Sequence, residues 1–316
     1  MGLIEIEAFL KQTVGLNPFS CGAAVIERAV RERMDVSSTS DWKSYYTHLK
    51  RSTGELRALA EAVIEPETWF FRDREAFLAL RRFAVAHRPE GSARKPLRVL
   101  CVPSGRGEEA YSVVMSLLEC GLTPGQFVVH AVDLHDTTGA ESKAGVFGWE
   151  AFRGGDVDMR RRYFQATPDG FTVNRTVREA VNFHPGNLIT GTWAGKNGSF
   201  DAIFCRRFLS YFSSTAQGKL VRKLRRLLSP RGLLFVAPTE VALLHRHQFD
   251  AGRIAVGYAD SEPANPVSSD GTHKEELLAA RLTSTPRSCL KAGSGQRQSK
   301  RGRSALAASV AGNGRA

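Results

Sequence analysis

Three observations predict an α/β fold with a mostly parallel sheet covered on both faces. From Pro96 onward, apolar runs of strand length alternate with segments of helical apolar spacing. A glycine turn, Ser104-Gly105-Arg106-Gly107, joins the first such run to the first such helix. Ahead of them, residues 3–62 carry helical stripes. The expected architecture is an all-α N-terminal domain followed by an α/β domain with a small antiparallel β-subdomain inserted.

In the N-terminal part, Ile4, Phe9, Leu10 and Val14 fit one helix face. Ala23, Ala24, Ile26, Ala29 and Val30 fit a second, and Leu56, Leu59, Ala60 and Val63 a third. Pro18 and the stretch Val36–Ser40 break the pattern. Arg28, Arg31 and Arg33 make one helix basic, which reads as a solvated face or as a surface for an acidic protein. Residues 64–95 connect this part to the sheet. Within them, Thr68-Trp69-Phe70-Phe71-Arg72-Asp73 reads as a hydrophobic plug with a salt bridge.

Strands are predicted at 97–102, 127–132, 200–205 and 232–237, and helices at 108–120, about 136–146 and 215–228. Pro230-Arg231-Gly232 reads as the turn into the last of these strands. Residues 155–185 interrupt the alternation. Tyr163-Phe164, Phe171-Thr172-Val173 and Val181-Asn182-Phe183 are short β-prone pieces, and Pro168-Asp169-Gly170 is a turn signal. They are the expected antiparallel insert, basic at Arg160, Arg161, Arg162, Arg175 and Arg178. After Tyr258 the chain turns to Ser, Pro, Gly, Ala and basic residues, a composition expected to stay disordered. The expected boundaries are 1–75 for the helical domain, 76–258 for the α/β domain with its insert at about 155–185, and 259–316 for the tail.

Composition narrows the function classes. No apolar run reaches membrane-spanning length, and Met1–Glu5 lacks the basic start of a signal peptide. The five cysteines are scattered without a C-x-x-C pair, so buried thiols in a reducing, cytoplasmic setting are expected, with neither disulfides nor zinc. A net charge of +12 suggests an anionic partner, yet eight Lys or Arg and no acid fall between Leu277 and Ala316. Much of the excess therefore belongs to the tail.

Strand, glycine turn and helix form a nucleotide-type cofactor site, with free N–H groups at the new helix. Glu108 and Glu109 follow at once. They would repel a pyrophosphate and suit a ligand that is cationic or rich in hydroxyls. Asp133, 28 residues beyond Gly105, ends the second strand and reads either as acceptor for a ribose diol or as a helix cap. S-adenosylmethionine carries a ribose, an ammonium and a sulfonium but no phosphate, and meets these conditions better than NAD. Asn187-Leu188 could meet an adenine edge. Arg206 and Arg207 end the strand at 200–205, with Tyr211 just past it, at the carboxyl side where ligands bind in open α/β sheets. His245 and His247 do not have metal-site spacing, and no H-E-x-x-H, Walker loop or G-x-S-x-G is present.

Taken in order, Thr68–Arg72, Ser104–Ser112, Ala131-Val132-Asp133, Arg162-Tyr163-Phe164, Val181–Leu188 and Phe200–Phe212 resemble the CheR-type chemotaxis-receptor glutamate O-methyltransferases. The resemblance runs from roughly Leu3 to Phe249, and Pro66–Arg74 is most similar to the branch serving surface-sensing, biofilm-regulating receptors. It implies a Rossmann-like S-adenosylmethionine-dependent domain behind a helical one. Thr68, Arg72, Glu109, Asp133, Asn187 and Leu188 would contact the cofactor, with Arg206 and Arg207 at the same crevice, and Arg72 and Tyr211 would border the reacting carboxylate. Three departures stand out. Pro66 replaces a frequent Asn, Arg207 replaces the Asn of a Cys-Arg-Asn run, and a basic tail stands where related members continue into helical repeats.

The implied reaction methylates receptor glutamates, with the acidic cytoplasmic helices of a methyl-accepting receptor as protein partner and a monomeric enzyme. Neither nucleic acid nor membrane insertion is expected. A carboxylate is already nucleophilic, so orientation by Arg72 and a hydrogen bond from Tyr211 would suffice. The short loop between Phe164 and Phe171 implies recognition independent of a receptor's C-terminal peptide. Two alternatives remain: a nucleic-acid methyltransferase, suggested by the charge, and a cofactor-binding scaffold without catalysis, suggested by Pro66 and Arg207.

Overall fold

The computed structural model describes residues 2–64, 68–87, 95–133, 142–153, 157–186, 188 and 196–256. The expected disordered tail, Pro66 and Asn187 lie outside the described residues.

Five helices open the chain: α1 (Leu3–Thr13), α2 (Pro18–Cys21), α3 (Ala23–Val36), α4 (Trp42–Arg51) and α5 (Thr53–Ile64). Their apolar stripes are slightly rotated from the sequence reading. Ile6 and Leu10 bury in α1 while Ile4 stays exposed, and Ile26, Ala29 and Val30 bury in α3. Glu55 is the polar keystone of this bundle. It receives Arg33 through Nε at 3.0 Å and NH2 at 2.7 Å, and the Tyr45 hydroxyl at 2.8 Å. Burial works upward on its carboxyl, but these partners hold it below the usual value. Arg33 is thus committed to the interior, which corrects its reading as part of a basic contact face.

After α6 (Arg74–Ala86), the main sheet comprises β1 (Leu97–Cys101), β2 (Phe127–Asp133), β6 (Val181–Pro185), β7 (Phe200–Phe204), β8 (Leu228–Val236) and β9 (Ile254–Val256). All pairings are parallel, in the order β6-β2-β1-β7-β8-β9. Strand order reverses between β1 and β7, which opens a ligand crevice at their carboxyl ends. One face packs on α6 and α7 (Glu108–Glu119) through Val99, Cys101, Val129 and Ala131. The other joins Leu100, Val132 and Ile203 to Ile6, Leu10 and Tyr45 of the N-terminal helices in one apolar core. That face also carries α10 (Ser214–Leu227).

The insert is built differently from the sequence reading. Its sheet has the order β3-β5-β4, from β3 (Val146–Phe147), β4 (Phe164–Thr167) and β5 (Gly170–Val173), with α8 (Val157–Tyr163) leading in and α9 (Arg175–Glu179) leading out. Val181–Phe183 belong instead to β6, where Val181 and Phe183 bury and Asn182 stays exposed. Val146–Phe147 fall at the end of the helix expected at about 136–146. Residues 142–144 are helical, and the rest of that span up to 141 lies outside the described residues. Most of the insert's arginines are engaged. Arg162 bridges Glu119, Arg175 bridges Glu179, and Arg160 lies 4.5 Å over the Trp149 ring.

Strand β8 begins at Leu228, so Pro230-Arg231-Gly232 lie within it and not in a preceding turn. The register with β7 shifts between Phe200 and Ala202 to accommodate them. The last described helix is α11 (Val241–Arg246). No described helix is long and apolar enough to cross a membrane.

Candidate active site

The crevice at the switch point is assembled from three chain segments. First comes the turn between β1 and α7. Val102 donates to the Phe204 carbonyl at 2.9 Å and Ser104 to that of Val132 at 3.0 Å, so the turn is tied to both neighbouring strands. Gly107 caps α7 at φ +103, and a Cβ there would stand 3.1 Å from the Phe183 ring. Only glycine suits that position. No side chain caps this helix through Gly107.

Second is the segment before α6. Phe70 is buried among Phe147, Phe152 and Phe164, and its N–H reaches the Ala151 carbonyl at 2.9 Å. The Phe71 N–H donates to the Ser112 hydroxyl at 3.0 Å, and Ser112 donates on to the Glu108 carbonyl. The aromatic run is therefore an anchor that fixes the position of Arg72 and Asp73. Arg72 lies 4.2 Å over the Trp69 ring, and Asp73 begins α6 in the left-handed region at φ 56.

Third is the segment after β7. Arg206, buried, donates to Glu109 at 2.7 Å, to Asp73 at 2.5 Å and to the Arg72 carbonyl at 2.9 Å. Arg207 adds a fork to Asp73 at 2.9 and 3.2 Å. Glu240, wholly buried, receives the N–H groups of Arg207 and Leu209, both at 2.8 Å, and those of Ala237 and Ser210 at 3.1 and 3.3 Å. Of five described non-glycine residues with positive φ, three are Phe71, Asp73 and Arg207. Backbone strain of roughly 1–3 kcal/mol each persists only where surroundings over-determine it. Here the Arg206 and Glu240 networks do so.

Charge is closely matched. Burial pushes the Glu109 carboxyl up, and Arg206 pulls against it. Burial also works upward on Asp73, but Arg206 and Arg207 more than cancel it. Burial raises Glu240, against its backbone hydrogen bonds. Tyr211 is raised by burial, with Arg72 and Arg207 opposing, so it stays a protonated donor at neutral pH.

Thr68, Arg72, Glu109, Arg206 and Arg207 line one cleft together with Ser104 and Gly105. The other expected residues fall elsewhere. Asp133 ends β2, with only its backbone described. Leu188 is buried in the core below α10, its carbonyl receiving Lys223 at 3.0 Å. Tyr211 is outside the cleft wall, in the turn Leu209–Tyr211, where the Asn17 N–H holds its carbonyl at 2.7 Å. Glu108 is only 2% exposed and does not line the cleft. The acid pair read from sequence is therefore not two free charges facing a cation: one is buried and the other is neutralised by Arg206.

The sequence reading assigns Asp73 a salt bridge but not its partners Arg206 and Arg207, and it singles out neither the Ser104 hydroxyl nor Glu240. Glu240 is hard to see because three of its four partners, Arg207, Leu209 and Ser210, lie 30–33 residues upstream. The Ser104 hydroxyl is buried and has no hydrogen-bond partner among the described residues.

Comparison with known proteins bears on this cleft. A family model described as CheR methyltransferase, SAM binding domain, matches residues 66–256. A probable biofilm formation methyltransferase WspC of Pseudomonas aeruginosa is 41% identical over 243 residues, covering 77% of this chain and 58% of that protein. Its namesake in Pseudomonas putida is 40% identical over 238 residues, covering 75% and 56%. The chemotaxis protein methyltransferase of Escherichia coli is 30% identical over 223 residues, covering 68% and 75%. The chain spans less than three fifths of the length of the two WspC proteins.

Proposed function

Because the chain belongs to the CheR methyltransferase family, we propose that it methylates glutamate side chains of a methyl-accepting receptor, giving glutamyl methyl esters. The observation that carries this reading is the switch-point cleft, where the β1–α7 glycine turn and Arg72 meet. No His or Cys is among the described residues lining it, which suits a nucleophile that needs no base.

The cleft suits S-adenosylmethionine on its own donor set. Ser104 offers a buried hydroxyl without a partner among the described residues, and Gly105 leaves open space at φ +52 with Thr68 as nearest neighbour at 3.8 Å. The N-terminus of α7 brings the positive end of its dipole to this turn, which favours a carboxylate. When bound, the cofactor supplies an electrophilic methyl group on a sulfonium. Thr68, Ser104, Glu109, Arg206 and Arg207 are the residues proposed to hold it, with Asp133, Asn187 and Leu188 as further contacts.

Arg72 is the proposed orienting group for the substrate carboxylate. Its guanidinium rests on Trp69, which limits its freedom. Tyr211 is proposed to donate a hydrogen bond to the same carboxylate. An ion pair that is too tight would quench the nucleophile, so the proposed role of Arg72 is geometric. Arg207 need not oppose a cationic ligand, since Asp73 matches its charge. That removes one motive for reading the chain as an inactive scaffold. The two-residue turn Pro168-Asp169 between β4 and β5 supports recognition without a receptor tail peptide. Within this reading, residues 1–75 form the substrate-facing helical domain and 76–258 the catalytic one.

The test is transfer of labelled methyl to receptor-containing membranes from the same cell, scored as base-labile methanol. Absence of base-labile label with active cofactor binding would refute the assignment.

A further inference from the structure

Basic residues of α3 and the insert are largely matched: Arg31 by Glu27, Arg33 by Glu55, Arg162 by Glu119 and Arg175 by Glu179. Helix α10 differs. Ser214–Leu227 holds five Lys or Arg and no acid. Leu220, Val221, Leu224 and Leu227 bury against the sheet. Lys223 is spent on the Leu188 carbonyl and Arg225 on those of His247 and Gln248. Lys219, Arg222 and Arg226 are exposed, with no carboxylate partner among the described residues.

These three cations border a groove between α1 and α10, with Lys11 on the opposite rim. Between them it is lined by Ala8, Val14, Gly15 and Ala216, which keep exposed or half-buried apolar surface, and by the polar Gln12, Thr13 and Thr215. At one end the two helices touch. Gly15, at φ +79, leaves no room for a Cβ, which would stand 2.6 Å from that of Ala216. Ser213 donates to the Gly15 carbonyl at 2.7 Å, and Asn17 to the Tyr211 carbonyl at 2.7 Å. The groove closes at this contact, beside the turn that carries Tyr211.

We infer that the α1–α10 groove docks an acidic amphipathic helix of the protein substrate beside the turn that carries Tyr211. This rests on the receptor-methylation reading above. Three cations along one rim, Lys11 on the other and small apolar groups between them are complementary to a helix with an acidic face beside a narrow apolar one. A lipid surface fits less well, because Leu220, Val221, Leu224 and Leu227 of α10 are buried and the groove keeps only small apolar groups, too little to insert. Single-stranded nucleic acid fits less well too, because no aromatic residue among the described ones lines the groove to stack a base.

The test uses the full chain and the soluble cytoplasmic fragment of a methyl-accepting receptor from the same cell. Lys219→Glu/Arg222→Glu is compared with Arg28→Glu/Arg31→Glu on α3, and Lys219→Ala/Arg222→Ala supplies a milder step. Calorimetric affinity for the fragment, KM and kcat for methyl transfer, and cofactor affinity are measured at two salt concentrations. The α10 reversal should weaken fragment binding and raise KM at least about tenfold. It should also flatten the salt dependence, leaving cofactor affinity and kcat within about twofold. The alanine pair should fall between the reversal and wild type.

Unchanged fragment affinity in the α10 variants, an equal loss in the α3 control, or no fragment binding by wild type would overturn the inference. So would loss of binding to phosphatidylglycerol vesicles, or to single-stranded RNA, with fragment binding intact. Fragment binding that depends on Lys219 and Arg222 but yields no methyl ester would leave the docking groove standing and refute the methylation reading.

Discussion

Replacing Arg206 with Met removes the cation bonded to Glu109 while roughly keeping the side chain's volume. Asp73 retains Arg207, so the deficit concentrates on Glu109. Left largely shielded from water without that partner, the carboxylate must either stay charged at a cost or take up a proton. Protonation sets the ceiling. For a carboxyl of ordinary pKa 4.5, it costs about 1.4 kcal/mol per pH unit above that value, or about 3.4 kcal/mol at pH 7. The sign follows from a folded pKa raised above the unfolded one. The contribution to stability is full below about pH 4.5 and is lost as pH rises through the folded value. Because burial already raises this carboxyl in wild type, urea denaturation should show a deficit below that ceiling, up to about 3 kcal/mol at pH 7 and under about 1 kcal/mol at pH 5. Adding Glu109→Gln should recover most of the pH 7 loss. A deficit that is equal at both pH values, or untouched by Glu109→Gln, would refute the assignment of Arg206 and Glu109 as a coupled buried pair.

Ser104→Ala removes a buried hydroxyl with no partner among the described residues, so the cofactor-free protein should become more stable by about 1 kcal/mol while cofactor affinity falls. Thermal melting with and without S-adenosylmethionine reads both, and parallel changes would contradict the cofactor role. Glu240→Gln replaces one accepting oxygen by an NH2 group, which leaves two of the four backbone donors facing another donor. A loss of about 2–3 kcal/mol is expected in denaturant titration, together with weaker cofactor binding. Gly107→Ala and Gly125→Ala impose similar positive-φ strain at φ +103 and +102, but only the first meets Phe183. The first should destabilise more and lower cofactor affinity; equal effects would show that the Phe183 contact is unimportant.

Much of the site was legible because the signals are local. The glycine turn after an apolar run and the arginines after Phe204 each declare themselves within a few residues. The aromatic run at Phe70 read as a plug, and it is one. What escaped was set by pairing at a distance. Val181–Phe183 have the composition of any short strand, and nothing local says whether they pair with Phe171 or with Val129. Val146–Phe147 are too brief a strand to break a helical expectation. Arg33 looks like surface charge until Glu55, on another helix, reaches it. The adjacent glutamates suggested a paired electrostatic preference. Helical geometry instead sends Glu108 inward and leaves Glu109 to Arg206.

The central claim is that Arg72 orients a glutamate carboxylate for methylation in this cleft. Labelled methyl transfer to receptor membranes at saturating S-adenosylmethionine, comparing wild type with Arg72→Ala and Arg72→Lys, tests it most directly. The account predicts base-labile label with wild type and a fall in kcat of about 100-fold for Arg72→Ala, with Arg72→Lys between them. Undiminished labelling by Arg72→Ala would contradict it.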